Sequence, residues 1–194
     1  LPTSNLQIAQ GADIERYTER LGRFRIEIFA EYPYLYDGNI EYEHKYLARY
    51  AASPNSFLIF CEDASGFVAA CTGICMKDAD EEFRSVFEPQ EIAKTYYIGE
   101  VMIRKGYRGK GIGSKLLTNA VSIIKNMGFK QASLCAVERE ENHPLRPNDY
   151  VSPDNLWLRF GFKKLQEKKA RYSWKDIGAA EESQKLMSVW TVEL

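Results

Sequence analysis

The spacing of apolar positions changes several times along the chain, and each change predicts an element boundary. Residues 6–9 read as a short strand stopped by the turn residue Gly11. From Asp13, placed as an N-cap, Ile14, Tyr17, Leu21, Phe24 and Ile28 recur at helical spacing until Pro33 interrupts them. An aromatic loop over residues 32–38 follows. Tyr42, Tyr46, Leu47 and Tyr50 then form the stripe of a second helix that ends before Pro54. Residues 56–62 and 67–76 are apolar runs flanking the turn residues 63–66, so the pair predicts a β-hairpin. Residues 77–91 are charged, with a short helix over 81–87, and residues 96–103 return to strand. Beyond a glycine-rich stretch, Ile112, Leu116, Leu117, Ala120, Ile124 and Met127 make one helical face, with Gly128 as its C-terminal cap. Residues 132–137 are another strand, and 138–154 a long polar loop. Ser152 and Pro153 then open a short helix carrying Trp157 and Phe160, which Gly161 closes. Two last strands are expected at 162–167 and 187–192. The interleaving predicts a mixed α/β domain with helices packed against a sheet.

Composition narrows what these elements serve. In 194 residues, 45% are hydrophobic, enough for one core, so residues 1–194 are expected to form a single domain. Lys and Arg number 26 against 27 Asp and Glu, and a net charge of -1 gives no general attraction to nucleic acid or to an anionic membrane. The four cysteines lack CxxC spacing and the histidines are His44 and His143, so no metal site is expected, and free thiols in a reducing compartment are. No basic segment leads into an apolar run, and no stretch reaches the ~20 apolar residues of a membrane span. A cytoplasmic location is the expectation.

The candidate chemistry lies in residues 100–114, where a strand, a glycine-rich bend and a helix start follow one another. Such a bend can aim backbone N–H groups and a helix N-terminus at phosphate. Gly109, Gly111 and Gly113 permit close approach, and Arg108 and Lys110 add charge. Glycine spacing alone leaves open a plain chain reversal with both cations in water. Neither GxGxxG nor a phosphate loop ending in Gly-Lys-Ser or Gly-Lys-Thr is present.

The segment from Arg108 to Gly113 matches R-x-x-G-x-G, and residues 157–162 match aromatic-x-x-x-Gly-Phe; with the element order, these make the chain resemble the GCN5-related N-acetyltransferase (GNAT) family in a bacterial-type form. The resemblance implies the acyl-CoA N-acyltransferase fold, an α/β fold with a mixed, mostly antiparallel central sheet flanked by helices, and transfer of an acetyl group from acetyl-CoA to a primary amine of a small molecule or protein. Another acyl-CoA donor, or acyl-CoA binding without turnover, remains open. It assigns the pantetheine arm to the backbone of Val101, Met102 and Ile103. The pyrophosphate falls to Arg108, Gly109, Lys110, Gly111, Ile112, Gly113 and Ser114. The acyl group would thread between strands 96–103 and 132–137. Dimerisation through the C-terminal strands is also implied.

The resemblance makes Glu100 the leading general base, against the reading of a salt-bridged strand glutamate; Glu138 and Glu140 are lesser candidates. Where the family carries a tyrosine acid, Trp157 stands, and indole N–H is not a practical acid near neutral pH. Tyr150 is the displaced candidate, and Asn155 a substitute for a family asparagine. On the acceptor side the candidates are Tyr32, Tyr34 and Tyr36 together with His143 and Arg146 in the polar loop. No Ser-His-Asp or Cys-His system is evident, so direct transfer is preferred.

Overall fold

The computed structural model describes residues 5–194. Seven strands form one sheet: β1 (Gln7–Gln10), β2 (Phe57–Asp63), β3 (Gly66–Cys75), β4 (Thr95–Ile103), β5 (Gln131–Val137), β6 (Lys163–Lys175) and β7 (Glu182–Glu193). Their spatial order is β1-β2-β3-β4-β5-β7-β6, antiparallel throughout except for the parallel β4–β5 pair. Helices α1 (Thr18–Phe29), α2 (Ile40–Ala52), α3 (Glu81–Arg84) and α4 (Pro89–Ile92) cover one face, and α5 (Ile112–Asn126) and α6 (Asp154–Arg159) the other.

Side-chain alternation makes the two cores. On β2, Leu58 and Phe60 enter the core under α1 and α2, while Phe57, Ile59 and Cys61 enter the core under α5. A strand buried on both sides needs no polar alternation, which is why residues 56–62 read as a continuous apolar run. Asn39 caps α2 through its side-chain oxygen, which accepts from Glu41 N–H at 2.8 Å and Tyr42 N–H at 3.2 Å.

Two features of β4 shape the middle of the sheet. It pairs with β5 only from Thr95 to Tyr97, so residues 98–103 continue with β3 on one side and no strand on the other. The register with β3 also slips: Gly73 faces Ile98 and Thr72 faces Glu100, which leaves Gly99 as the extra residue of a β-bulge. Tyr96 and Ile98 point to the α5 core and Tyr97 to the α1–α2 core. Strict alternation would send Glu100 to the α5 side. The extra residue turns it over, toward α1 and α2.

Several boundaries differ from the sequence expectation. The chain before α1 begins as a 3-10 helix, Gly11–Tyr17, and the charged stretch holds two single-turn helices in place of one. The last two strands are far longer than expected, 13 and 12 residues, and form an arm beyond the sheet. A register slip between Leu165 and Lys169 interrupts β6, so its alternation is broken midway.

Adding a methyl group at Gly99 would drive it into the Tyr50 hydroxyl, with Thr72 close by. Gly99→Ala is expected to lower the unfolding free energy by about 1–3 kcal/mol in chemical denaturation, as overpacking does. The open surface position in Gly106→Ala, where nothing lies within 4 Å, should change it by less than about 0.5 kcal/mol.

Candidate active site

Glu100 is buried at 6% exposure, and its partners come from three other elements. Arg25 of α1 donates through Nη1 to Oε1, Tyr46 of α2 donates to the same oxygen at 2.7 Å, and Thr72 of β3 donates to Oε2. The Arg25 Nε donates to Oε2 of Glu43, which is fully buried on α2. One guanidinium therefore serves two buried carboxylates. Among the described residues, Oε1 of Glu43 has no hydrogen-bond partner, and Oε2 of Glu100 takes Thr72 alone. Burial pushes the Glu100 carboxyl above the usual carboxylate range; Arg25 and the Tyr46 hydroxyl oppose that shift, and the like charge of Glu43 adds to it.

Two cavities meet at this carboxylate. One, of about 120 Å³, fills the gap where β4 and β5 part; Ile98, Val101, Leu134, Val137, Tyr150 and Trp157 are among its walls. The other, of about 390 Å³, lies on the α1–α2 side under the β6–β7 arm, with Tyr42, Tyr46, Tyr97, Tyr172 and Trp174 in its walls. Phe29, Tyr34, Gly99, Glu100 and Cys135 line both. Tyr97 and Cys135 touch across the junction, hydroxyl to Sγ at 3.4 Å. Burial pushes the Cys135 thiol up to about 12, so at neutral pH it is not a thiolate.

After β4 the chain makes a 3-10 turn, Lys105–Tyr107, and enters α5 through Gly109 (φ 74°) and Gly111 (φ 78°), both in the left-handed region. Glycine is needed at these two for backbone conformation, since nothing lies near either Cβ position. Gly111 is the N-cap, and among the described residues no side chain caps the helix, so the first N–H groups of α5, which have no intrahelical acceptor, are left without a capping side chain. Gly113 has a different reason: it is buried, and a Cβ there would meet Leu156 at 3.0 Å and Ile103 at 3.3 Å. Its missing side chain lets α5 sit close to β4 and α6. The two cations are held locally. Arg108 donates to the Ile103 carbonyl at 2.8 Å and pairs with Glu31 at 2.8 Å, and Lys110 donates to the Gly106 carbonyl at 2.7 Å. The loop thus presents backbone N–H groups on a scaffold stiffened by its own side chains, which suits an anionic pyrophosphate, while the unpaired side of β4 suits an amide-bearing arm.

The structure gathers some sequence candidates and separates others. Val101 and Tyr150 line the smaller cavity, Tyr36 the larger, and Glu100 and Tyr34 both. Met102 is buried in the α1–α2 core and Ile103 packs with the α5 core. Tyr32 packs edge-on against Tyr150 at 4.7 Å and lies 5.7 Å from the His143 ring, while Arg146 stacks 5.3 Å over Tyr150. Tyr32 and Arg146 thus pack on Tyr150 and His143 on Tyr32, and these three line neither cavity. Asn155 is exposed on α6 and absent from both walls; its neighbour Asp154 is in the smaller one. Glu138 is paired with Lys164 and Lys169, at 2.8 and 2.5 Å.

Sequence reasoning missed Arg25, Tyr46, Tyr97, Cys135, Tyr172 and Trp174. For Arg25 the signal was a cation inside the apolar stripe, one helical turn after Leu21. For β6 it was the alternation Ala170, Tyr172, Trp174 within an otherwise charged segment.

The family model described as Acetyltransferase (GNAT) family matches residues 23–147. No curated protein sequence matches the chain. Among solved structures, an N-acetyltransferase from Staphylococcus aureus Mu50 is 15% identical, covering 98% of this chain and 99% of that one, with a TM-score of 0.58. A ribosomal-protein-alanine N-acetyltransferase from Brucella melitensis gives 12% identity, coverage of 98% and 99%, and a TM-score of 0.62. An acetyltransferase of GNAT family from Streptococcus pneumoniae gives 14%, 98% and 100%, and 0.61. At these identities the likeness is one of fold.

Removing the shared guanidinium leaves two carboxylates buried without a counter-charge. Arg25→Met is expected to cost about 3–5 kcal/mol, measured by urea unfolding at neutral pH. A loss below about 1 kcal/mol would mean that the cluster is not held as charges.

Proposed function

Because this chain belongs to the GNAT family of acetyltransferases, we propose that it moves an acetyl group from acetyl-CoA directly to a primary amine, with Glu100 as the general base. The observation that carries this reading is the position of Glu100 at the junction of the two cavities. The smaller cavity lies along the open side of β4 and suits the donor. The larger suits the acceptor. Bound acetyl-CoA supplies an acyl thioester, a carbonyl already open to attack by an unprotonated nitrogen.

The residues of the chain then have separable tasks. Oε1 of Glu100 is engaged by two donors, whereas Oε2 has one and can accept another. Oε2 takes the proton of the acceptor ammonium, directly or through a water. The freed nitrogen bonds to the acetyl carbon as the carbon–sulfur bond breaks and its electron pair leaves with sulfur; the second proton, shed by the nitrogen as it becomes an amide, passes to the departing thiolate. Tyr150 faces the donor cavity, and burial raises its phenol, which keeps it protonated as a hydrogen-bond donor to the leaving sulfur. Arg25 fixes the Glu100 rotamer and is a positioning residue. A covalent acyl-enzyme is disfavoured, since Cys135, which lines both cavities, is held as a neutral thiol.

Glu100→Gln is expected to keep acetyl-CoA affinity, measured calorimetrically, and to lower kcat roughly 10-fold to 10,000-fold. The pH profile adds a test of sign. A base acts in its ionised form, so the ascending limb should lie above the ordinary carboxylate value of about 4.3. Glu43→Gln removes the like charge that raises Glu100, and its limb should move to lower pH. A glutamine variant at position 100 with wild-type turnover and the same ascending limb would remove Glu100 from the base role.

A further inference from the structure

Resting on that reading, we propose that the acceptor is a small primary amine, bound as its ammonium, that carries one apolar, ring-sized body. Three observations converge on this class. The first is the lining of the 390 Å³ cavity: Phe29, Tyr34, Tyr36, Tyr42, Tyr172 and Trp174 bring aromatic surface from four separate segments. Such walls recover free energy by covering an apolar body.

The second is charge. Glu43 and Glu100 face one guanidinium, that of Arg25, so the buried cluster carries one uncompensated negative charge if both carboxyls are ionised. At the cavity's outer wall, Asp37 and Lys175 pair at 2.6 Å, which leaves Glu41 and Glu182 against Lys45. Interior and rim are both biased toward a cation. The ammonium has a specific place, against the Glu100 carboxylate where the two cavities share a wall, and Oε2, which takes one donor against two on Oε1, has the acceptor capacity for it.

The third is the roof. The loop between α1 and α2 is stitched to the tip of the β6–β7 arm: Asp37 N–H donates to the Lys175 carbonyl at 2.9 Å and Ile177 N–H to the Leu35 carbonyl at 2.7 Å. Arg139 straps the two together. It reaches both oxygens of Asp176 at 2.9 Å and the carbonyls of Pro33 and Tyr34 at 2.8 and 2.7 Å. Trp174 donates to the Tyr34 carbonyl at 3.0 Å. A polypeptide crossing between these elements would have to break that seam, so a lysine on a protein segment is a poor fit. A small molecule entering from the Tyr42 side is a good one, since Tyr42 is 52% exposed and still lines the cavity.

The experiment compares 2-phenylethylamine, spermidine and a lysine-containing peptide in acetyl-CoA-dependent thiol release. The ring-bearing amine should exceed the other two in kcat/KM by roughly 10-fold or more, the scale of burying one aromatic body. In calorimetry, N,N-dimethyl-2-phenylethylamine, a cation that forms no stable amide, should bind, and the neutral 2-phenylethanol should bind roughly 10-fold more weakly or not at all. Tyr42→Ala should raise KM for 2-phenylethylamine by about 5-fold to 20-fold, with the effect in KM rather than in kcat. Equal or better turnover of spermidine or the peptide, or equal binding of the alcohol, would overturn the proposed acceptor class. Binding of the dimethyl cation with no thiol release from any amine would support the cation pocket and overturn the acetyl-transfer reading instead.

Discussion

A single extra residue in β4 is the constraint from which the site follows. A bulge interrupts the ladder and turns the side chains beyond it to the other face, as the one at Gly99 does to Glu100. Pairing with β5 stops at Tyr97, just before the slip, and a gap opens between two central strands that elsewhere would be continuously bonded. The same slip brings Glu100 onto the α1–α2 side, where Arg25, Tyr46 and Thr72 wait for it. Glycine is required because the bulged residue lies against the Tyr50 hydroxyl. Cleft and carboxylate therefore arise from one local event, so their relative position does not depend on mobile loops.

The cluster that receives Glu100 is costly by design. Burying an ion pair gains little over apolar packing, and burying two carboxylates against one guanidinium is worse. Nothing in the packing of α1 against α2 requires such an arrangement, because Leu21, Phe24, Leu47 and Tyr50 already supply an apolar interface. Its physical consequence is a carboxyl whose affinity for a proton is set by opposing influences of similar kind: desolvation and Glu43 raise it, Arg25 and Tyr46 lower it. A group balanced in this way responds to small changes nearby, including the arrival of a cation. A solvated glutamate at the same point would be fully ionised and a weaker base.

Much of this was legible in the sequence because the relevant signals are local. The glycine-rich bend, the helical face from Ile112 to Ile124 and the hairpin flanking residues 63–66 depend on neighbours in the chain, and the observed elements fall where those patterns place them. An isolated glycine beside Glu100 within a strand was itself a sign of a bulge. What stayed hidden is what distant segments do to one another. The stripe Tyr42, Tyr46 and Tyr50 reads as core, and two of the three do pack as core, yet Tyr46 also donates to a carboxylate 54 residues away. The aromatic wall of β6 was obscured by lysines on the opposite side of an edge strand, where alternation is the signal and the run of charge masks it. Asn155 illustrates the limit of a motif carried by position: one residue of drift on a helix as short as α6 moves a side chain from a cavity wall to solvent.

The two halves of the site also rest on different parts of the chain. The loop and helix start suited to a phosphate belong to the segment joining β4 to α5, braced by Gly113 against Ile103 and α6. The aromatic cavity belongs to α1, α2, their connecting loop and the β6–β7 arm, on the opposite face of the sheet. Only the junction residues, Phe29, Tyr34, Gly99, Glu100 and Cys135, are common to both. Substitutions on the arm can therefore reshape the aromatic cavity without touching the loop at the start of α5, and the reverse also holds. The two cavities share a wall where the sheet parts. Glu100 is the carboxylate that stands in that wall, and the bulge is what puts it there.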